Sequence, residues 1–157
     1  MILNNLAQLF GATNRLADAE PLTRRALAIH EASFGPVHPH VASDLSTLAH
    51  WLKAANRLAE AEPLMRRALS IFEASLGLEH PDVGLMLNNL AMLLKATNRF
   101  AEAEPLMRGA FVGMARALGI EHPKTQTVLD NCLELIGAQG GDADAAVQRL
   151  VAEFARR

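Results

Sequence analysis

The stretch that decides the fold is His80–Leu106, HPDVGLMLNNLAMLLKATNRFAEAEPL. Its apolar residues recur three and four positions apart, which is the spacing of a helix that buries one face. A His-Pro pair precedes the first apolar stripe, and Asn98-Arg99 separates that stripe from a second one. Because proline fits the first turn of a helix and asparagine tolerates the left-handed conformation that ends one, this stretch predicts two helices joined by a short turn.

The landmarks of this stretch recur every 42 residues. LNNLA begins at Leu3 and at Leu87, and the related LSTLA begins midway, at Leu45. The other landmarks with this step are AEPL at Ala19, Ala61 and Ala103, NR at Asn14, Asn56 and Asn98, glycine at Gly35, Gly77 and Gly119, and HP at His38, His80 and His122. A period of this length with helical patterning predicts an α-solenoid, in which stacked helical hairpins bury each other's apolar stripes.

The predicted fold class is therefore all-α. We expect eight helices, at about 2–13, 17–34, 39–55, 59–76, 81–97, 101–118, 123–138 and 142–155. They would form one domain, 1–157, with four repeats at about 1–35, 36–77, 78–119 and 120–157. In the second helices of the first three repeats a proline, Pro21, Pro63 or Pro105, falls in an early turn, where it is tolerated and could bend the helix slightly.

The fourth repeat departs from the pattern. At the 42-residue step, Leu133 stands in place of Ala91, and Gly140 in place of Asn98. On the second helix, Gln148 and Arg149 take the positions of Leu106 and Met107. Polar residues on a terminal helix suit a solvent-facing cap, so 123–157 is predicted to be a degenerate capping repeat, with Asp142 as the N-cap of its last helix.

Composition excludes several classes of function. The chain has 157 residues, half of them hydrophobic, and a formal net charge of −2, whereas a nucleic-acid-binding protein is usually clearly basic. Its single cysteine, Cys132, excludes an internal disulfide and fits a reducing compartment. The sequence has neither an apolar run long enough to span a bilayer nor the pattern of a signal peptide. We therefore expect a cytoplasmic protein with no nucleic-acid or membrane partner.

These residues resemble the tetratricopeptide repeat in its 42-residue, kinesin-light-chain-like form, which also occurs in many bacterial proteins. Small residues occupy the positions at which that family packs its helices closely: Ala7, Ala19, Ala26, Ala49, Ala61, Ala68, Ala91, Ala103 and Ala110. The resemblance covers essentially the whole chain. It implies a right-handed superhelix of four helix-turn-helix repeats. It further implies a non-catalytic module without a cofactor, whose first helices line a concave groove that binds an extended peptide or a partner protein.

A polar row follows the first helices at the 42-residue step, on the face turned partly away from the apolar stripe. The peptide-binding candidates on this row and beside it are Asn4, Gln8, Ser46, His50, Lys53, Asn88, Asn89, Met92, Lys95 and Asp130. Amides and hydroxyls both donate and accept hydrogen bonds, as an extended peptide backbone requires. The alternative is that asparagines hydrogen-bond between neighbouring repeats, an interpretation that we favour for Asn5 and Asn89, the residues nearer the apolar stripe. Lys53 and Lys95 would meet an acidic peptide or remain solvated.

The sequence offers no reactive constellation. His38, His80 and His122 share one loop position and stand 42 residues apart, so they are expected to lie too far from one another to form a metal site. Cys132 takes the position of Leu48 and Leu90 and is expected to be a buried, unreactive thiol. We predict neither a metal nor catalysis.

A second hypothesis comes from the N-terminus. The chain starts inside a first helix, with no polar capping repeat before it. Either the array is part of a longer one, or it associates with another copy through this uncapped end. The second possibility would make it an oligomerisation or sensor module of a larger signalling protein.

Overall fold

A computed structural model describes Leu9 and residues 15–155, apart from the side chain of Leu16. The described part contains seven helices and no strand: α1 (Leu16–Phe34), α2 (Pro39–Ala54), α3 (Leu58–Leu76), α4 (Pro81–Ala96), α5 (Phe100–Leu118), α6 (Pro123–Ala138) and α7 (Ala143–Ala155). The predicted all-α class is confirmed, and each predicted boundary agrees within one residue. The first predicted helix, with Asn4, Asn5 and Gln8, lies outside the described residues.

The chain divides into two compact units, with the boundary between Ser75 and Leu76. The first unit holds α1, α2 and all of α3 except its last residue, Leu76. Within this unit α1 packs on α2. The second unit holds α4 to α7, in which α5 packs on α4, α6 and α7. Among the described residues, no helix combines the length and the apolarity needed to cross a membrane.

The repeated landmarks define the helix ends. Asn56 and Asn98 adopt a φ of 59° directly after first helices, and glycines end the second helices with φ values of 85–92°, as the sequence predicts. The histidine of each His-Pro pair has a role that the sequence analysis missed. The imidazole Nδ1 of His38, His80 and His122 accepts a hydrogen bond of 3.2 Å from the backbone N–H two residues later. These histidines are N-caps, each followed by a proline at the first helical position.

Small residues bring the helices of the second unit close together. Ala91, Ala103 and Ala110 are fully buried. A Cβ atom added at Gly84 of α4 would lie 2.5 Å from Cγ of Met114 of α5, so a larger side chain would displace that methionine. The core between these helices is filled by large apolar side chains: Leu90, Leu93, Leu94, Met107, Phe111 and Met114. The predicted positions of close packing are confirmed for the eight described alanines, all of which are buried, and Ala7 lies outside the described residues.

The first unit has two polar pairs where later repeats have apolar residues. Nε1 of Trp51 donates to Oγ1 of Thr23 at 3.0 Å, and the Thr23 hydroxyl donates to the carbonyl of Ala19. Nδ1 of His30 lies 2.6 Å from Oδ2 of Asp44, which is fully buried. The positions 42 and 84 residues later are Phe72 and Met114 for His30, and Met86 and Val128 for Asp44; all four are buried. Polar side chains thus replace hydrophobic ones in this part of the core.

The fourth hairpin differs from the prediction by one residue. Three residues separate α4 from α5, but four, 139–142, separate α6 from α7. Gly140 has the positive φ of Asn98, and Gly141 is the added residue. Asp142 is confirmed as the cap, since its Oδ1 accepts from the N–H groups of Asp144 and Ala145.

Because of the added residue, positions of α7 correspond to those of α5 at a step of 43 residues instead of 42. The counterparts of Ala103 and Met107 are the buried Ala146 and Leu150, so the apolar stripe continues into α7. The assignment of Arg149 to the position of Met107 was therefore wrong. Arg149 corresponds instead to Leu106, and it is exposed.

Candidate functional site

Two polar contacts join the first helices of adjacent repeats in the second unit. Nδ2 of Asn131 on α6 donates a 3.0 Å hydrogen bond to Oδ1 of Asn88 on α4. Nζ of Lys95 on α4 forms a 2.7 Å ion pair with Oε1 of Glu134 on α6. The predicted polar row is therefore partly used to connect the two helices.

The two asparagines of the LNNLA string have the opposite placement from the one expected. Asn88, the first, is only 8% exposed and makes the contact between repeats, whereas Asn89 is exposed. The expectation that Asn89 lies nearer the packed stripe was wrong, because α4 is rotated so that Asn88 faces α6. Asn89 is the asparagine that remains accessible on this surface.

The charged and apolar candidates of this unit differ in accessibility. The side chain of Lys95 is 17% exposed and that of its partner Glu134 is 66% exposed, so an acidic ligand would compete with Glu134 for the lysine. Met92, one turn before Lys95, is half-buried, and Asp130, one turn before Glu134, is exposed. Asn89, Met92 and Asp130 therefore offer an amide, an apolar contact and a carboxylate on α4 and α6.

In the first unit, the candidates Ser46, His50 and Lys53 are spaced four and three residues apart on α2, so they share one helix face. Ser46 and Lys53 are half-buried and His50 is exposed. The His50 ring packs edge-on against Trp51, with centroids 5.0 Å apart. Trp51 itself is buried and hydrogen-bonded, so it packs in the core beside the exposed His50. Lys53 has no ion pair among the described residues, so it is a more available cation than Lys95.

The second helices carry ion pairs on their exposed faces. Pairs four residues apart join Arg24 to Glu20, Arg66 to Glu62 and Arg108 to Glu104. Arg57, at the start of α3, contacts carboxylates of two repeats, with 2.7 Å distances to Glu20 and to Glu60. The hydrogen bond from Arg57 lowers the pKa of the Glu60 carboxyl. These faces therefore carry paired charges.

No group of three potential metal ligands occurs among residues 9 and 15–155. Cys132 is buried, and burial raises the pKa of its thiol from 9.0 to about 11. Such a thiol is almost entirely protonated at neutral pH and is a poor nucleophile. This agrees with the predicted packing role of Cys132.

Two solved structures of repeat proteins are similar to this chain. A kinesin light chain candidate from Podosopora anserina with nearly identical TPR-like repeats matches with a TM-score of 0.84 and 23% identity, over 98% of this chain and 74% of its own. BtubC (BKLC) of P. vanneervenii matches with a TM-score of 0.85 and 23% identity, over 96% of this chain and 61% of its own. At this identity the likeness concerns the fold. A search of curated proteins gave no match.

The family model of the tetratricopeptide repeat matches residues 1–74 and 46–111. Those residues include the Asn-Arg and AEPL landmarks of three repeats, the two LNNLA strings and two of the three His-Pro pairs. Their described part forms α1 to α4 and α5 as far as residue 111. Proteins with this repeat are generally non-catalytic scaffolds for protein–protein interaction. On the combined evidence of repeat, helices and family model, the chain belongs to the tetratricopeptide repeat family.

Proposed function

We propose that this protein is an interaction module that binds an extended peptide segment of a partner protein along the exposed faces of its first helices. The observation that carries the proposal is the set of accessible polar side chains on these helices: Ser46, His50 and Lys53 on α2, Asn89 on α4, and Asp130 on α6. They combine donors, acceptors and both signs of charge. Met92 adds an apolar contact for a ligand side chain.

The exposed faces of the second helices are less suited to this role. Arg24, Arg66 and Arg108 are already paired with glutamates of the same helix. Arg67 is paired with Glu31 of another second helix. A ligand that binds at these arginines must displace those pairs without a gain in charge neutralisation, and exposed pairs of this kind contribute little binding energy when exchanged. The first helices instead present the Asn89 amide, the His50 imidazole and Lys53, whose hydrogen-bonding groups are open to a ligand.

Lys53 indicates which charge the ligand should carry. It is a half-buried cation without an ion-pair partner among the described residues, and His50 is exposed one turn before it. A peptide with an acidic residue would gain a charge-assisted hydrogen bond at Lys53. At Lys95 the same residue would first have to displace Glu134. We therefore expect an acidic side chain of the ligand to bind at α2.

The experiment uses a phage-displayed library of random dodecapeptides selected on the full chain. We expect enrichment of peptides with acidic and apolar residues, and weaker binding of the selected peptides to Lys53→Ala and Asn89→Ala by fluorescence anisotropy. The matched control is Lys124→Ala, which removes an exposed lysine in the first turn of α6. Equal affinity for wild type, Lys53→Ala and Asn89→Ala, with unchanged circular dichroism, would refute binding at these faces.

A further inference from the structure

A cavity lies in the second unit, where α5, α6 and α7 meet, and it is separate from the polar row. It is an open cleft of about 210 Å³. Cys132, Ile136 and Leu150 form its apolar floor, and the polar residues Glu104, Arg108, Gln139 and Arg149 stand at its mouth. An apolar floor with few polar groups at the entrance is the usual composition of a small-molecule site.

The cleft arises from departures of the fourth repeat. Cys132 takes the position that leucine holds at Leu48 and Leu90, so a smaller side chain lines the floor. On α7, Leu150 takes the position of Met107 and Arg149 that of Leu106, so a cation stands where the preceding repeat has an apolar residue. The smaller floor residue and the cation are therefore two separate departures of the fourth repeat.

The two arginines at the mouth differ in the partners that they already have. Arg108 makes only long ion pairs, 3.8 Å to Glu104 and 4.0 Å to Glu153. Arg149 donates from Nε to the Ala145 carbonyl at 3.2 Å and has no carboxylate within ion-pair distance among the described residues. Its guanidinium retains donors for an anionic ligand, since the single bond to Ala145 uses one of five N–H groups.

We propose that this cleft binds a short aliphatic monocarboxylate, with its chain over Cys132, Ile136 and Leu150 and its carboxylate at Arg149. A volume of 210 Å³ corresponds to about seven water molecules at ~30 Å³ each, which matches an acid of about eight non-hydrogen atoms such as hexanoate. The guanidinium fork matches a carboxylate geometrically, whereas the floor offers no partner to a polar chain.

Hexanoate titration of the full chain tests the proposal, with saturation-transfer NMR for binding. Protection of Cys132 from methyl methanethiosulfonate, measured at about pH 9 where part of the thiol is ionised, reports the location. Cys132 is the only cysteine, so protection reports on this cleft alone. We expect saturable binding that slows thiol modification. Arg149→Gln should weaken it about tenfold, the effect of one lost charged hydrogen bond. Glu104→Gln should strengthen it, because it removes the negative charge beside the ligand carboxylate. Arg66→Gln, on α3, is the matched control and should have no effect.

Cys132→Leu restores the side chain of the other repeats and should block binding by filling the floor. If this variant loses its helical circular dichroism, the opposite effects of Arg149→Gln and Glu104→Gln still decide the matter. Hexanol that binds as well as hexanoate would overturn the role of Arg149. Hexanoate binding that leaves Cys132 unprotected, or no binding at millimolar concentration, would overturn the site itself.

Discussion

The imidazole Nδ1 of His30 lies 2.6 Å from the fully buried carboxylate of Asp44, at positions where the later repeats have apolar residues. The pair connects α1 to α2, the second helix of one repeat to the first helix of the next. Polar groups that leave water lose hydration energy that their mutual attraction only partly returns. The pair is therefore a poor source of stability but a specific connection between these two helices.

Replacement of the pair by the residues of the next repeat, His30→Phe with Asp44→Met, should leave stability unchanged or raise it by about 1–4 kcal/mol. His30→Phe alone removes the imidazole partner of a buried carboxylate and should cost on the order of 3 kcal/mol. Urea unfolding followed by circular dichroism measures both free energies. A double variant as unstable as His30→Phe would show that the polar pair itself stabilises the unit.

The two neighbouring asparagines should respond differently to alanine. Asn88→Ala leaves the Asn131 amide without its partner and should cost about 1–2 kcal/mol of unfolding free energy. Asn89→Ala changes an exposed side chain and should stay within about 0.5 kcal/mol. Thermal unfolding of the two variants under identical conditions gives the comparison. A larger loss in Asn89→Ala than in Asn88→Ala would restore the assignment that the sequence alone favoured.

Thr125 has a buried hydroxyl with no hydrogen-bond partner among the described residues. The preceding repeats have the buried valines Val41 and Val83 at this position. Thr125→Val keeps the shape of the side chain and removes the unsatisfied hydroxyl, so it should raise the free energy of unfolding by about 1 kcal/mol. Chemical denaturation measures the gain, and Thr127→Val, at an exposed position of the same helix, is the control. A loss in Thr125→Val would mean that the hydroxyl is hydrated in solution.

Cys132 should make stability depend on alkaline pH. Burial raises the pKa of its thiol from 9.0 to about 11, so the folded state holds its proton more tightly than the unfolded state does. The stabilisation is complete below pH 9 and is lost as pH rises to about 11, by up to about 2 kcal/mol. Urea unfolding at several pH values should show this loss in wild type and a smaller one in Cys132→Ala. The absence of tyrosine removes one competing titration in this range.

The helices could be predicted from the sequence because their signals repeat. Several signals appear more than once at a constant step: the left-handed Asn56 and Asn98, the prolines at helix starts and the buried alanines. A signal that is ambiguous in one repeat is therefore resolved by the same signal in the others. The candidate site was harder to predict. Asn88 and Asn89 differ only by a 100° rotation on one helix, and the neighbouring helix decides which of them is buried. The histidines recur at the 42-residue step, but recurrence alone does not show that their imidazoles cap helices. The added residue at Gly141 has no counterpart in the earlier repeats that could have indicated it.

Several expectations remain predictions. The polar row is untested as a binding site, and its members Asn4 and Gln8 lie outside the described residues. Self-association through the N-terminal end and a cytoplasmic location also remain predictions.

The turns at 77–80 and 119–122 indicate how the array can be lengthened by design. A copy of residues 78–119 inserted after Gly119 would keep every helix in phase, because the turns on both sides have the same length of four residues. Duplication of this stretch would therefore add two helices without the design of a new turn.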